Sequence, residues 1–159
     1  FQFCENETEL ISHLKNLIAQ NNFNNVFCLE QDLQDKLKSA NINYYSDDEN
    51  FLATQASITS CEYLIARLGS VLVSTKKNLS RRMWSYPPVH IVIAYTSQLI
   101  YDLKDGLVRL QEKYAGDFPS MITLITGPSR TADIEKTLIL GAHGPKELYV
   151  FVVYDSEVE

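Results

Sequence analysis

Apolar residues recur along this chain with two different spacings. Residues 7–21 and 31–40 place apolar side chains about every 3.6 positions, which predicts two amphipathic helices that each bury one face. The apolar positions of these helices are Leu10, Ile11, Leu14, Leu17, Ile18, Leu33 and Leu37. A third and longer helix is predicted over residues 97–115, although Gly106 weakens it.

Short apolar runs between these helices have the length of strands. The predicted strands are residues 26–29, 41–45, 56–61, 69–74, 89–95, 121–126 and 148–154. A helical turn is expected at 62–67 and a solvated charged loop at 46–50. The runs at 89–95 and 121–126 are unbroken, which indicates burial on both faces and a place at or near the centre of one sheet. Strands that alternate with amphipathic helices predict an α/β fold with a mainly parallel sheet.

Composition places the chain among ordinary globular proteins. Its 159 residues are 45% hydrophobic and 21% charged, and no repeat or linker divides them, so we expect a single domain over residues 1–159. The formal charge of −6 argues against binding to nucleic acid or to an anionic membrane. No apolar run reaches the roughly 18–20 residues of a membrane-spanning helix. Because the chain begins at Phe1 rather than at Met, we expect further sequence before it.

The cysteines indicate a reducing compartment. Cys4, Cys28 and Cys61 are odd in number, widely spaced and free of any C-x-x-C pair. This pattern suits neither a disulfide framework nor a zinc or iron–sulfur site, so we expect three thiols, no metal and no cofactor bound by this chain. A cytoplasmic location follows from these expectations, since the start of the chain also lacks the features of a signal peptide.

The segment at 125–135 is the strongest candidate for chemistry. It runs from a predicted strand through Gly127 and Pro128 into a predicted helix start, an arrangement that presents backbone N–H groups at the carboxyl edge of a sheet. Ser129 and Thr131 can cap that helix, and Arg130 can donate a forked pair of hydrogen bonds to a carboxylate or phosphate. The alternative is a purely structural helix start, since Asp133 and Glu135 would also favour the helix dipole.

Three further positions carry side chains with possible functions. His143 lies in a Gly-Ala-His-Gly-Pro turn and is either a general acid/base or a structural loop histidine. His90, inside the strand at 89–95, fits best as a core histidine that donates to a backbone carbonyl. Arg82 stands near Trp84, where it either clamps an anion or covers the indole ring. The sequence contains no G-x-G-x-x-G, G-x-x-x-x-G-K-[ST], H-E-x-x-H or G-x-S-x-G pattern.

Four segments together indicate a family. Residues 127–135 (Gly-Pro-Ser-Arg-Thr-Ala-Asp-Ile-Glu) and 138–148 (Leu-Ile-Leu-Gly-Ala-His-Gly-Pro-Lys-Glu-Leu) resemble the closing signature of the lactate utilization protein C family, the LUD-domain proteins. Residues 87–91 (Pro-Pro-Val-His-Ile) resemble the family's proline–histidine strand entry, and residues 65–70 resemble its Ala-Glu/Asp-Thr-Gly segment. The resemblance covers residues 56–154.

The chain departs from the family at one functional position. Arg67 and Leu68 stand where the family usually has an acid and a threonine before the glycine. Any activity that depends on that acid is therefore in question, and Glu62 is a candidate to replace it in space. This departure favours a specialised or partly degenerate member of the family.

The resemblance implies a fold and a role. The fold would be a three-layer α/β arrangement similar to the sugar-phosphate isomerase and coenzyme A transferase-like group. The role would be participation in the oxidation of L-lactate to pyruvate beside iron–sulfur partner proteins, with a small anion held by this chain. One alternative is a stand-alone isomerase- or transferase-type enzyme for a small phosphorylated or thioester substrate, and another is a non-catalytic interaction module.

The motifs and the resemblance together indicate the candidate site residues. The candidate acid/base groups are Glu62, Asp133 and His143. The candidate ligand-binding residues are Gly127, Ser129, Arg130, Thr131 and Arg82.

Overall fold

The structure, a computed structural model, describes residues 1–77, 80–131, 139–140 and 143–155. Within these residues the strands are β1 (Gln2–Cys4), β2 (Val26–Phe27), β3 (Ala56–Thr59), β4 (Tyr63–Ile65), β5 (Ser70–Ser74), β6 (Val89–Tyr95), β7 (Leu99–Ile100), β8 (Ile122–Ile125), β9 (Arg130–Thr131), β10 (Ile139–Leu140) and β11 (Glu147–Val153). The α-helices are α1 (Glu7–Gln20), α2 (Gln31–Ser39), α3 (Asp48–Phe51) and α4 (Leu103–Lys113). Short 3-10 turns cover Ala66–Leu68, Thr75–Lys77, Arg81–Trp84 and Thr96–Gln98.

The central layer is a five-stranded sheet in which every strand pair is parallel. Its order is β1-β11-β6-β3-β2. The middle strand β6 is the unbroken apolar run of the sequence, and it pairs with β11 over seven residues, from Val89 with Glu147 to Tyr95 with Val153. The predicted α/β class with a mainly parallel sheet and the central position of residues 89–95 are confirmed.

One face of this sheet is covered by α1 and α2. The side chain of Asn6 caps α1 by accepting a hydrogen bond from the N–H of Glu9 at 3.0 Å. Leu10 and Leu14 of α1, with Leu33 and Leu37 of α2, are buried against the strands in one apolar cluster. The 3.6-residue periodicity thus predicted both helices and the faces that they bury.

The other face packs against a second, four-stranded sheet of order β7-β4-β5-β8. Val92 and Ala94 of β6 meet Leu64, Val71 and other apolar residues of the second sheet in a shared cluster. The outer side of the second sheet is covered by α4 through a separate small cluster that includes Leu72 and Leu110. The order of layers is therefore helices, parallel sheet, second sheet and α4.

The predicted position of residues 121–126 is wrong. They form a strand, β8, but it lies at the edge of the second sheet, antiparallel to β5, with all of its residues half-buried. An unbroken apolar run indicates that a strand is buried, but it does not indicate to which of two packed sheets the strand belongs. One consequence is that the loop after β8 does not extend from the parallel sheet.

The predicted helix over 97–115 begins later than expected, because its first residues form a 3-10 turn and the strand β7. The carboxylate of Asp102 caps α4 by accepting a hydrogen bond from the N–H of Lys104 at 3.1 Å. Gly106, which has a low helix propensity, permits a close approach, since a Cβ atom there would lie 2.8 Å from Cδ1 of Ile100.

Three other local predictions are corrected. Residues 41–45 do not form a strand, and only Tyr45 makes an isolated parallel bridge, to Phe27. The expected helical turn at 62–67 is instead β4 followed by a 3-10 turn. The charged loop at 46–50 contains the start of the one-turn helix α3, which Asp47 caps through the N–H of Asn50 at 2.9 Å.

Candidate functional site

The loop that follows β8 lies against the segment that contains His143. Gly127 has φ +115°, a conformation that glycine adopts readily and other residues rarely do. The N–H of Ser129 donates to the carbonyl of Pro145 at 2.7 Å, and the hydroxyl of Ser129 accepts from the N–H of His143 at 3.3 Å. Two of the four family-like segments are therefore joined by direct hydrogen bonds.

The other two family-like segments join at the same place. The hydroxyl of Ser70, just after Gly69, lies 2.9 Å from the hydroxyl of Thr126. The carbonyl of Pro88 accepts from the N–H of Lys146 at 2.7 Å. We call this region the Gly127 corner; it comprises Ser70, Thr126, Gly127, Ser129, Arg130 and His143.

The Gly127 corner lies at the amino ends of the parallel strands, not at their carboxyl ends as predicted. Val89 and Glu147 are the first residues of β6 and β11, they pair with each other, and the contacts to Pro88 and Pro145 directly precede them. The prediction failed because β8 belongs to the second sheet. The expected helix cap is also wrong for Thr131, since Arg130–Thr131 form β9, antiparallel to β10.

Two cations and a histidine are exposed here: Arg130, Lys146 and His143. Among the ion pairs of the described residues none involves these three side chains. The nearby carboxylate of Glu147 accepts a hydrogen bond from the hydroxyl of Tyr149 at 2.5 Å. Asp133, the predicted acid of this loop, lies outside the described residues, as does Glu135. The described part of the corner can thus donate hydrogen bonds and positive charge to an anion.

Glu62 is placed elsewhere, as the buried carboxylate of a network that we call the Glu62 cluster: Glu62, Ser74, Lys113 and Tyr114. One carboxylate oxygen accepts from the hydroxyls of Ser74 at 2.5 Å and Tyr114 at 2.9 Å, and the other accepts from Nζ of Lys113 at 2.7 Å. Burial raises the pKa of this carboxyl, but the hydrogen bonds from Lys113, Ser74 and Tyr114 outweigh burial, so the pKa is lowered.

The Glu62 cluster and the Gly127 corner are far apart. Ser74 and Ser70 are the two ends of β5, and four residues of strand span roughly 13 Å. Glu62 is 2% exposed, and its side chain already accepts three hydrogen bonds. The structure therefore does not bring Glu62 to His143, and its contacts fix α4 to the second sheet.

Arg82 also has partners of its own. Its guanidinium pairs with the carboxylate of Asp48 at 2.8 Å and lies over the ring of Phe51, 4.6 Å from the ring centre. No hydrogen bond or ion pair among the described residues links Arg82 to the Gly127 corner. These contacts hold α3 against the 3-10 turn that contains Arg82.

The departure from the family signature has a visible consequence. Nη1 of Arg67 pairs with the carboxylate of Asp102 at 2.6 Å, at the cap of α4. Leu68 is 45% exposed, and Gly69 follows with φ +60°, which ends the 3-10 turn. At the position where the resemblance leads us to expect an acid, Arg67 is a cation that pairs with the neighbouring helix.

His90 is buried between the two sheets. Its Nε2 is 2.8 Å from the hydroxyl of Thr59, so the predicted bond to a backbone carbonyl is wrong. Its Nδ1 has no hydrogen-bond partner among the described residues. Burial lowers the pKa of His90 from 6.5 to about 4, so the ring is neutral at neutral pH.

The carboxyl edge of the parallel sheet carries a cluster of polar side chains that was not predicted from the sequence. Tyr95, at the end of β6, donates from its hydroxyl to the carboxylate of Glu7 at 2.9 Å, and Lys36 pairs with the same carboxylate. Lys36 and Tyr95 also line a cavity of about 390 Å³, together with Glu30 and Ser60. The signal was available, because Tyr95, Ser60 and Glu30 stand at or just after the ends of parallel strands.

The cysteines are buried and none of the three is in a disulfide. Across the described ranges, no group of three or more histidine, cysteine, aspartate or glutamate side chains is arranged to hold a metal ion. None of the helices in the described part of the chain is long and apolar enough to cross a bilayer.

Curated proteins with similar sequences cover about two thirds of this chain. "Uncharacterized protein NMB1437" of Neisseria meningitidis serogroup B is 31% identical over 110 residues, covering 69% of this chain and 47% of that protein. "Lactate utilization protein C" of Bacillus licheniformis is 36% identical over 113 residues, covering 68% and 47%. The chain thus spans about half the length of these relatives.

Comparison with solved structures supports the fold. A DUF162 family protein from Deinococcus radiodurans superimposes with a TM-score of 0.51 at 15% identity, covering 92% of this chain and 98% of that one. The family model described as "LUD domain" matches residues 36–153, about three quarters of the sequence. This chain therefore belongs to the LUD domain family.

Proposed function

We propose that this chain takes part in lactate utilization as a cytoplasmic, single-domain component that binds a small carboxylate at the Gly127 corner. One observation carries the proposal: three of the family-like segments are joined there by hydrogen bonds, and the fourth bonds through Ser70 to Thr126, the residue before Gly127, beside the exposed cations Arg130 and Lys146. The relatives called "Lactate utilization protein C" give the class of substrate.

Each residue of the corner has a role in this proposal. Arg130 donates a forked pair of hydrogen bonds to the ligand carboxylate, which is the geometry that a guanidinium provides. Gly127, Ser129 and Thr131 are the other proposed ligand-binding residues, and the hydroxyl of Ser129, which accepts from the N–H of His143, still has its own proton to donate. His143 and Asp133 are the proposed acid/base groups. Glu62 and Arg82 have structural roles, given their contacts with Lys113 and Asp48.

Redox chemistry belongs to partner proteins in this proposal. Oxidation of L-lactate to pyruvate removes two electrons and two protons, and we propose iron–sulfur proteins as the electron acceptors. This chain would hold the carboxylate, and the exposed imidazole of His143 would take the proton of the lactate hydroxyl. The hydrogen on C2 would leave as the second proton, to a base of the partner protein, while the two electrons pass one at a time to its iron–sulfur clusters.

A second candidate is a non-catalytic interaction module. One observation favours it: Arg67 replaces the acid of the family signature and pairs with Asp102, so that segment brings no carboxylate to the Gly127 corner. Under this alternative the corner would bind an anion or a partner without chemistry.

Replacing Arg130 with alanine tests the proposal. The charge-assisted bond contributes roughly 1.5–3 kcal/mol, so lactate affinity should fall about ten- to a hundredfold. The measurement is calorimetric titration with lactate, inorganic phosphate and a coenzyme A thioester. Arg109→Ala is the matched control, because Arg109 is an exposed arginine on α4.

Thermal melts should show that both variants remain folded. Equal affinity of wild type and Arg130→Ala for every ligand would place the site elsewhere. Phosphate or thioester binding without lactate binding would favour the transferase-type alternative over lactate utilization.

A further inference from the structure

An open groove lies between the strand β7 and the helix α4. Its volume is about 490 Å³, and both apolar and charged side chains line it: Leu99, Ile100, Tyr101, Asp105, Val108, Arg109 and Glu112. The strand β7 is at one edge of the second sheet and β8 is at the other, with β4 and β5 between them. This surface, which we call the β7–α4 groove, is therefore separate from the Gly127 corner.

Three large apolar side chains of the β7–α4 groove face solvent. Tyr101 is 70% exposed, Leu99 is 54% exposed and Val108 is 44% exposed. Single apolar residues on a surface are normal, but several that line one groove mark a contact site for another molecule. Tyrosine is also enriched in the centres of protein–protein interfaces. The groove therefore has the composition of a protein interface.

Two opposite charges in the groove are not paired with each other. Asp105 and Arg109 are four residues apart on α4, a spacing at which an acid and a base can form an ion pair. Among the described residues, however, neither of them takes part in an ion pair. At the two ends of the same helix, Asp102 and Lys113 are both paired. The charges of the groove therefore remain available to a second molecule.

A second copy of this chain has charges that complement those of the groove. In a twofold dimer the same surface meets itself, so each contact between two different residues forms twice. When two α4 helices lie antiparallel with the axis near residue 107, Asp105 of each protomer faces Arg109 of the other. Glu112 then faces the first turn of the other α4, where the helix dipole favours a carboxylate. Parallel helices would instead place like charges together.

We propose that this chain forms a twofold homodimer through the β7–α4 groove, with the two α4 helices antiparallel. Leu99, Tyr101 and Val108 of both protomers are then removed from water, and two Asp105–Arg109 pairs fix the orientation of the helices. The Gly127 corner of each protomer stays open to solvent in this dimer, because β8 is at the opposite edge of the second sheet.

The test is sedimentation equilibrium of the full chain and its variants over a wide range of protein concentrations. The mass of the wild type should approach that of two chains as the concentration rises. Asp105→Arg and Arg109→Asp each bring two pairs of like charges together, so each should raise the dissociation constant of the dimer by about tenfold or more. The double variant exchanges the two signs and should return the constant to within about threefold of wild type.

A matched pair of tyrosine variants tests the apolar part of the interface. Tyr101→Ser should raise the dissociation constant by about tenfold or more, because it removes the largest exposed side chain of the groove. Tyr154→Ser is the control, since Tyr154 is 57% exposed and does not line the groove. Its dissociation constant should stay within about twofold of wild type. Circular dichroism melts should show that all the variants are folded, because every substituted side chain is exposed.

Three results would overturn the proposed dimer. The first is a wild-type chain that remains monomeric at every concentration. The second is a dimer that Tyr101→Ser and Tyr154→Ser weaken equally, because its interface would then lie outside the β7–α4 groove. The third is a double variant that fails to associate although each single reversal dissociates the dimer, because Asp105 and Arg109 would then not face each other across a twofold axis.

Discussion

The Glu62 cluster and the Gly127 corner are both built from residues that resemble catalytic groups in the sequence, yet they differ in solvent access and in unused hydrogen-bonding capacity. The carboxylate of Glu62 is buried and accepts from Ser74, Tyr114 and Lys113. At the corner, Arg130 and His143 are exposed, and the loop is held by backbone contacts. A buried polar group with all its partners stabilises a fold, whereas exposed donors on a fixed loop are available to a ligand.

We therefore expect substitutions in the Glu62 cluster to lower stability without changing ligand affinity, and substitutions in the Gly127 corner to lower ligand affinity without changing stability. Lys113→Met should lower the free energy of unfolding by about 2–3 kcal/mol, because it leaves the buried carboxylate of Glu62 without its cation. Solvent reaches the Lys113 side chain, which is 42% exposed, so the loss is smaller than for a fully buried pair. Affinity of the folded protein for lactate should not change. The measurement is urea denaturation followed by titration at a temperature where the variant is folded.

Lys104→Met is the matched control for this substitution, since Lys104 is an exposed lysine on the same helix. It should change stability by less than about 0.5 kcal/mol. Normal stability in Lys113→Met, or loss of lactate binding in the folded variant, would show that the Glu62 cluster is not a purely structural feature.

His90 is an intermediate case, buried like Glu62 but with one ring nitrogen unpartnered among the described residues. Its pKa is about 4 in the folded chain and 6.5 as the ordinary value. Between these two values the unfolded chain binds a proton that the folded chain does not, so stability is full above pH 6.5 and declines as the pH falls toward 4. The total loss is about 3 kcal/mol.

Denaturation midpoints measured between about pH 7.5 and pH 4.5 test this prediction. His90→Gln should flatten the decline, and His13→Gln, a change on the surface of α1, should preserve it. The lowered pKa of Glu62 adds its own loss only below 4.5, its ordinary value, so it does not obscure the effect of His90. An unchanged slope in His90→Gln would mean that another group takes up the proton.

The sequence predicted those parts of the fold that depend on local pattern. The run at 89–95 is the central strand and the stripes at Leu10 and Leu33 face the core, because periodicity reports burial directly. The place of β8 could not be predicted, since both sheets bury apolar strands. For the same reason the sequence could identify the loop at Gly127 but not the edge of the sheet on which it lies.

The sequence predicted the loop of the candidate site, because the segments that resemble the family come together in the fold. The family-like segments converge, and Ser129 does contact the His143 segment. The separate location of Glu62 follows from the pairing of β4 with β5, which brings it beside Ser74 and α4. Such pairing depends on tertiary contacts, and the residues near Glu62 in sequence give no indication of it.

The smallest change in stability is expected for substitution of Arg67. This residue also gives a direct test of whether structural contacts and ligand contacts are separate in this protein. The Arg67–Asp102 pair is exposed, with 62% and 33% of the two side chains accessible, so its contribution to stability is reduced by solvent and salt. Arg67→Ala should therefore cost less than about 1 kcal/mol in urea denaturation, and the loss should shrink at high salt. Lactate affinity should stay within about twofold of wild type, because the guanidinium is directed toward α4. A tenfold fall in affinity, comparable to that of Arg130→Ala, would show that this position still serves the ligand despite the exchange of an acid for a cation. The Gly127 corner would then extend to the 3-10 turn before β5.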